Sequence, residues 1–342
     1  MKEIFMQILL TVSYFQGAFP AQIPWAKPSR LKFSYLHPSF FINLAVTFFF
    51  LLIIADMLYS NPPKMFTSHG STYNTIIYYS RTLSILTISS FYRLTGIFVC
   101  SSTIKLFRNL CVIQDKLRTS FLSAPLHHAK LKYIFLIIAS VLLLAFSFVT
   151  GIREAKSGLY NAVNYTPLSS TVFAGNMSVF TIVVCLLGIV NMGTVIVTLL
   201  QVLTFGLWLT ETQNWIYMTL LLKVQYFSDV GDQMAVAHMR DKIWMKGTAE
   251  TKNVAEIAVL QKQNIRESWE MIQTLKIAYE TYSKVAGWYL LETIVTAMVC
   301  LTGGVSKLIE DPTHLVGGLD VFIVGISIST LCIALGESMK NA

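Results

Sequence analysis

The sequence predicts an all-α fold, a polytopic membrane helix bundle with six spans, a cytoplasmic N-terminus and long cytosolic helical extensions of spans four and five. Three observations predict it. The 342 residues are 54% hydrophobic and only 13% charged, with a mean hydropathy of +0.59, whereas a soluble chain carries about 25% charged residues. Six stretches are long and apolar enough to cross about 30 Å of hydrocarbon, which takes about 20 helical residues. Lysine and arginine alternate between rich and poor connections, as the positive-inside rule requires.

The spans fall at roughly 39–59, 76–103, 133–151, 178–209, 285–308 and 316–335. Lipid offers no partner to a backbone N–H or C=O, so a spanning segment is a helix or part of a closed barrel. Unbroken runs such as "YIFLIIASVLLLAFSFV" at 133–149 exclude the alternation of barrel strands. The chain divides into a cytoplasmic segment 1–38, spans one to four at 39–209, a cytoplasmic helical loop 210–284, spans five and six at 285–335 and a tail 336–342.

Orientation follows from charge. Segment 1–38 holds Lys2, Lys27, Arg30 and Lys32; the second connection holds Lys105, Arg108, Lys116, Arg118, Lys130 and Lys132; loop 210–284 holds nine lysines and arginines. The first, third and fifth connections hold at most two each. The N-terminus is therefore expected inside and the third connection outside. That connection carries two N-glycosylation sequons, "NYT" at Asn164 and "NMS" at Asn176, the second close to span four. A competing reading of the first twenty residues is a signal peptide, with Lys2, the run "IFMQILLTV" and small residues near Ala18. It would leave the N-terminus outside, against the charges.

The net charge of +8 follows from that topology, and no basic cluster is dense enough to track nucleic-acid phosphates. The five cysteines, Cys100, Cys111, Cys185, Cys300 and Cys332, share no loop and read as small packing residues. No phosphate loop, HExxH or G-x-S-x-G is present, so the chain is not read as an enzyme, and no cofactor is expected. No metal site is expected either, because the adjacent His127 and His128 diverge by about 100° on a helix.

Loop 210–284 is helical by pattern. Ile265, Trp269, Ile272, Leu275, Tyr279, Tyr282 and Ala286 recur at steps of four and three, and no Pro or Gly intervenes before Gly287. One long helix is expected to pass from the cytosol into span five. Trp208, Trp215, Leu222 and Tyr226 extend span four alongside, and "HMRDKIWMKGTAETKN" at 238–253 reads as the solvated turn between them. So apolar a seam outside the bilayer is buried against its neighbour, a second subunit, or both.

Ionisable residues inside spans are costly and mark function. Glu292 lies one-third into span five and Arg93 in the inner half of span two, where the two could pair. Tyr78, Tyr79, Arg81 and Ser84, at the outer end of span two, form a candidate ligand pocket, although interfacial belts place tyrosines there too.

Two stretches resemble the insect gustatory receptors. "SYFQGAFPAQ" is similar to the G-x-x-P stretch that opens them and is followed by "LKFSYLHPSFFINL" into the first span; "IRESWEMIQTLKIAYETYSKVAGWYLL" at 265–291 is similar to their passage from the last cytosolic helix into span five. The likeness covers essentially the whole chain through loose motifs. It implies a plasma-membrane chemoreceptor: seven spans, a homo- or hetero-tetrameric ligand-gated cation channel, a small-molecule tastant in the outer half of the bundle, and an inter-subunit anchor at the cytosolic ends of the helices. The family's seventh helix, with its Thr-Tyr and Gln-Phe signature, does not follow "TLCIALGESMKNA", so a continuation beyond Ala342 is expected. The alternatives are a G-protein-coupled-type receptor, which needs an outside N-terminus, and a transporter, which needs paired mid-membrane Gly/Pro breaks. Gly303–Gly304 and Gly317–Gly318 instead flank a loop.

Overall fold

The computed structural model describes residues 2–22, 31–59, 72–120, 177–244 and 248–310, with isolated residues between 138 and 149 and between 325 and 333. Five helices account for nearly all described residues: α1 (Lys2–Phe15), α2 (Pro38–Tyr59), α3 (Thr72–Thr119), α4 (Met177–Trp244) and α5 (Thr248–Glu310). Two short strands, β1 (Ala21–Gln22) and β2 (Lys32–Phe33), pair antiparallel, Ala21 with Phe33 and Gln22 with Lys32. Helix α3 packs on both α4 and α5, which pack on each other; α2 lies on α3 and α1 on α4.

Four of the six predicted stretches, 39–59, 76–103, 178–209 and 285–308, fall on helices α2 to α5. The stretches 133–151 and 316–335 lie almost wholly outside the described residues. Ser90–Thr119 and Gly193–Asp229 are long and apolar enough to cross a membrane. Helix α5 is 63 residues long and α4 is 68, so at 1.5 Å per residue each runs about 100 Å, far longer than a bilayer core. Neither breaks where composition changes from polar to apolar.

The three long helices share one packing rule. On α3 the buried line is Tyr92, Gly96, Val99, Thr103, Leu106, Leu110, Ile113 and Leu117; on α4 it is Val195, Thr198, Val202, Phe205, Leu209, Thr212, Ile216, Thr219 and Lys223. On α5 it is Ser268, Met271, Leu275, Ala278, Tyr282, Val285 and Tyr289. Every step is three or four. On α3 and α5 that repeat keeps one stripe facing the neighbours, as in left-handed bundles, whereas α4 is buried on every side from Thr194 to Gly206.

The predicted seam residues are only partly buried within the chain. On α4, Trp208 is buried, but Trp215 and Leu222 are half-buried and Tyr226 is exposed. On α5, Leu275 and Tyr282 are buried and Tyr279 is half-buried, whereas Ile265, Trp269 and Ile272 are 62%, 60% and 38% exposed. Small polar residues fill part of the intrachain stripe instead, Thr198, Thr212, Thr219 and Ser268 among them. Threonine can do so at low cost by returning its hydroxyl proton to its own helix: Thr212 donates to the carbonyl of Trp208 at 2.7 Å.

The N-terminal segment completes the core. Helix α1 stops at Gly17, whose φ of +71° is open to glycine. Ala18 N–H then bonds the Ser13 carbonyl at 2.9 Å and Gly17 N–H the Tyr14 carbonyl at 3.0 Å, the paired closure of a Schellman motif. Phe5 and Leu9 pack on Ile196, Val197 and Leu200 of α4, while Met6, Leu10, Phe19, Ala21 and Leu31 join the main core. Gln201 fixes the register of α1 by donating to the Leu9 carbonyl (3.1 Å) and Ser13 Oγ (2.6 Å).

Candidate functional site

Helix α2 shows what surrounds this core. Its polar Asn43 and Thr47 are buried, while Phe41, Ile42, Leu44, Phe48, Leu51 and Leu52 are exposed. The same inversion recurs on α3, where Ser90 and Arg93 are buried beside exposed Phe91 and Phe98, and on α5, where Thr293 is buried beside exposed Trp288, Leu291, Ile294 and Val295. Contiguous exposed apolar surface of this kind marks contact with lipid or protein, and the polar groups turned inward find partners there.

Arg93 is the centre of the polar interior. It is fully buried. Its Nη1 donates to the Gln16 carbonyl at 2.8 Å and its Nη2 to Thr194 Oγ1 at 2.9 Å. Asn43 Nδ2 donates to the Arg93 carbonyl at 3.4 Å, and Thr47 Oγ1 to Asn43 Oδ1 at 3.2 Å. One residue of α3 therefore ties together the turn after α1, helix α2 and helix α4. Two glycines open the space: a Cβ on Gly96 would meet the Ala18 carbonyl oxygen at 2.6 Å, and one on Gly193 the Gln16 Nε2 at 2.7 Å. The carbonyl of Leu31 accepts from Arg108, so a second arginine of α3 holds the same N-terminal segment.

Arg93 does not pair with Glu292. Its guanidinium points toward α1 and α4, whereas Glu292 faces α3 from α5, one turn away, and accepts from Thr95 Oγ1 at 2.8 Å. Residues 93 and 95 diverge by about 200° on a helix, which separates them. The α3–α5 contact is otherwise aromatic and hydroxylic. Tyr92 and Tyr289 stack with centroids 5.6 Å apart, and Tyr92 Oη lies 2.6 Å from Thr293 Oγ1. Both hydroxyls also reach the Tyr289 carbonyl, Thr293 Oγ1 at 2.5 Å and Tyr92 Oη at 3.4 Å, so either can donate to the other.

Two grooves adjoin these contacts. The larger, about 750 Å³, lies between α3 and α5 and is lined by Phe91, Thr95, Phe98, Trp288, Leu291 and Glu292 among others. The second, about 520 Å³, lies between α4 and α5 and is walled by Val224, Phe227, Ile265, Trp269 and Ile272. Lys223 is 4% exposed at that groove, and its Nζ has no hydrogen-bond partner among the described residues. Above it, Tyr279 donates to Gln213 Oε1, and Tyr282 to the Val202 carbonyl at 3.3 Å. Burial raises the Tyr279 phenol above its ordinary value.

The remaining sequence candidates are less constrained. Tyr78, Tyr79, Arg81 and Ser84 lie on the first third of α3, and their side chains lie outside the described residues. Asn164, Asn176, His127 and His128 also lie outside them. Cys100 is buried in the core and Cys111 packs at its edge. No cluster of three metal-ligating side chains occurs among the described residues. The residues that sequence reasoning missed are Gln16, Asn43, Gly96 and Thr194. Gly17 in the G-x-x-P stretch was the available signal, since a left-handed stop there returns the chain toward α3. The chain matches no family model and no curated protein.

Proposed function

We propose that this chain is a subunit of a plasma-membrane chemoreceptor of the gustatory receptor kind, a ligand-gated cation channel that takes a small-molecule tastant. The observation that carries the reading is helix α5. From Trp288 to Met298 it exposes apolar side chains, as a lipid-facing helix does, and it continues without a break into a charged arm. On that arm Ile265, Trp269 and Ile272 remain exposed after α3 and α4 have packed. An apolar face left open on a polar arm supports an anchor between subunits. The inward-facing Asn43, Thr47 and Arg93 support immersion in lipid. The lysine and arginine distribution supports a cytoplasmic N-terminus and arms.

Gating on this reading is a population shift, in which a ligand biases the pore by its differential affinity for the open state. Two measurements test the proposal. An N-terminal epitope on intact cells is expected to stain only after permeabilisation. A cysteine at Trp269 is expected to cross-link differently tagged copies into dimers, and a lysine-reactive cross-linker is expected to give a ladder ending at four. Surface staining of the N-terminus, or a chain that stays monomeric, would sink it.

A further inference from the structure

We infer that the groove between α4 and α5 on the arm is a binding site for an amphiphilic acid, an apolar chain ending in one carboxylate. The site rests on the groove's own composition and not on the receptor reading. Its volume of about 520 Å³ falls within the range of small-molecule sites, about 300–1,000 Å³. Its apolar walls stay open, with Val224, Ile265 and Trp269 exposed by 68%, 62% and 60%. Lys223 is the one ionisable residue among the described lining residues, and it is itself 4% exposed. Its Nζ is buried and makes no hydrogen bond among the described residues.

The acids of the facing stretch of α5 do not fill that need. Burial lowers the Lys223 pKa, and Glu267 offsets part of the shift through space. The Glu267 carboxylate, however, accepts from Gln263 Nε2 at 3.1 Å and gives Lys223 no hydrogen bond. Glu270 pairs with Lys116 at 3.3 Å and with Arg266 at 3.5 Å.

Charge complementarity selects the occupant. An ammonium carries three N–H donors and no acceptor, and burying it without a hydrogen-bond partner is costly. A carboxylate supplies the acceptors and the opposite charge together, while its apolar chain covers Ile265 and Trp269. An alcohol of the same length fills the walls equally well but brings no charge. An amine is repelled. A carboxylate side chain reaching in from another protein meets the ammonium but is too short to fill a groove of this volume.

The test uses the full chain purified into phosphatidylcholine nanodiscs, in a mildly alkaline buffer that ionises the acid. The probes are a twelve-carbon fatty acid with a diazirine on its tail and the matching alcohol. After photolysis, adducts on residues 220–228 and 261–272 are mapped by mass spectrometry and normalised to adducts elsewhere on the chain. The acid is expected to label the groove roughly tenfold or more above the alcohol, as a charge-assisted contact implies. Lys223→Met, which keeps most of the side chain and removes its charge, is expected to erase that preference. Val224→Trp, which crowds the groove and leaves the ammonium in place, is expected to weaken labelling by both probes. Equal labelling by acid and alcohol, or an undiminished preference in K223M, would overturn the inference. So would a groove that neither probe labels, the result expected if a second copy or another protein covers it. An acid-selective groove on a chain that stays monomeric defeats the anchor reading alone, and tetramers whose groove shows no acid preference defeat this inference alone.

Discussion

Gly96 and Gly193 make the sharpest prediction, because both touch the turn after α1 and substitution with alanine should act in opposite directions. Alanine at a helix interior gains about 1 kcal/mol over glycine from propensity alone. At Gly96 the new Cβ would sit 2.6 Å from the Ala18 carbonyl oxygen, a backbone atom, against an ordinary contact of 3.4 Å or more. The turn would have to retreat by roughly 0.8 Å. The same turn carries the Gln16 carbonyl, now 2.8 Å from Arg93 Nη1, and that retreat carries it past hydrogen-bond range. Losing a hydrogen bond to a charged donor costs about 1.5–3 kcal/mol, so G96A should be destabilised by about 0.5–2 kcal/mol net. At Gly193 the Cβ meets only Gln16 Nε2, the end of a flexible side chain. G193A should therefore be neutral or up to about 1 kcal/mol more stable. Thermal unfolding of both variants in nanodiscs, followed by size-exclusion recovery, is the assay. A G96A protein as stable as G193A would refute the wedge, and with it the assignment of the G-x-x-P turn as the clasp of Arg93.

Arg93→Lys should lose about 1–3 kcal/mol, because one ammonium cannot span both Gln16 O and Thr194 Oγ1; the same unfolding assay reads it, and an unchanged midpoint counts against the hub. Tyr92→Phe should cost about 1 kcal/mol while keeping the stack on Tyr289, and adding Thr293→Val should cost little more if the two hydroxyls act as one pair. Lys116→Ala should change stability by no more than about 0.5 kcal/mol, since its 3.3 Å pair with Glu270 is solvent-exposed. Burial raises the Tyr279 pKa above about 10, so the unfolded phenol ionises first. Its contribution is complete below about pH 10 and is lost as pH rises through the folded pKa. Tyr279→Phe should flatten the alkaline limb of stability against pH.

The helical class was legible because runs such as 39–59 and 178–209 leave lipid-solvated backbone little choice but helix. The continuity of α5 was legible for a similarly local reason: nothing between Ile265 and Ala286 breaks a helix. Which face packs was not. Large apolar side chains point to the core only when water is the alternative, and beside lipid that rule loses its force. Trp288 is exposed while Thr198 fills the seam; on the arm, Trp269 is exposed although a soluble seam would have buried it. The partner of Arg93 was also hidden, because two of its acceptors, the Gln16 carbonyl and Thr194, carry no charge by which a sequence pattern could flag them.

Helix α5 also limits how the two ends of the molecule can communicate. Glu292 lines the groove between α3 and α5, and Trp269 lines the groove on the arm. The 23 residue steps from Trp269 to Glu292 run along one uninterrupted stretch of α5, about 35 Å long at 1.5 Å per residue. The glycine on that path, Gly287, has open space around its Cβ position, so it is neither a notch for a neighbour nor a site where a helix inserts. Over the same stretch Leu275, Ala278, Tyr282 and Val285 interlock with α3 and α4 at three-and-four spacing. A packed seam of that kind shifts between discrete registers and does not bend smoothly. A ligand between α3 and α5 would, on the receptor reading, act on the arm by tilting or rotating α5 as a rod. On the receptor reading, the exposed Ile265, Trp269 and Ile272 are where that rotation is handed to the next subunit. A cysteine pair locking Ala278 of α5 to α4 should then leave ligand binding intact and uncouple it from any change at Trp269.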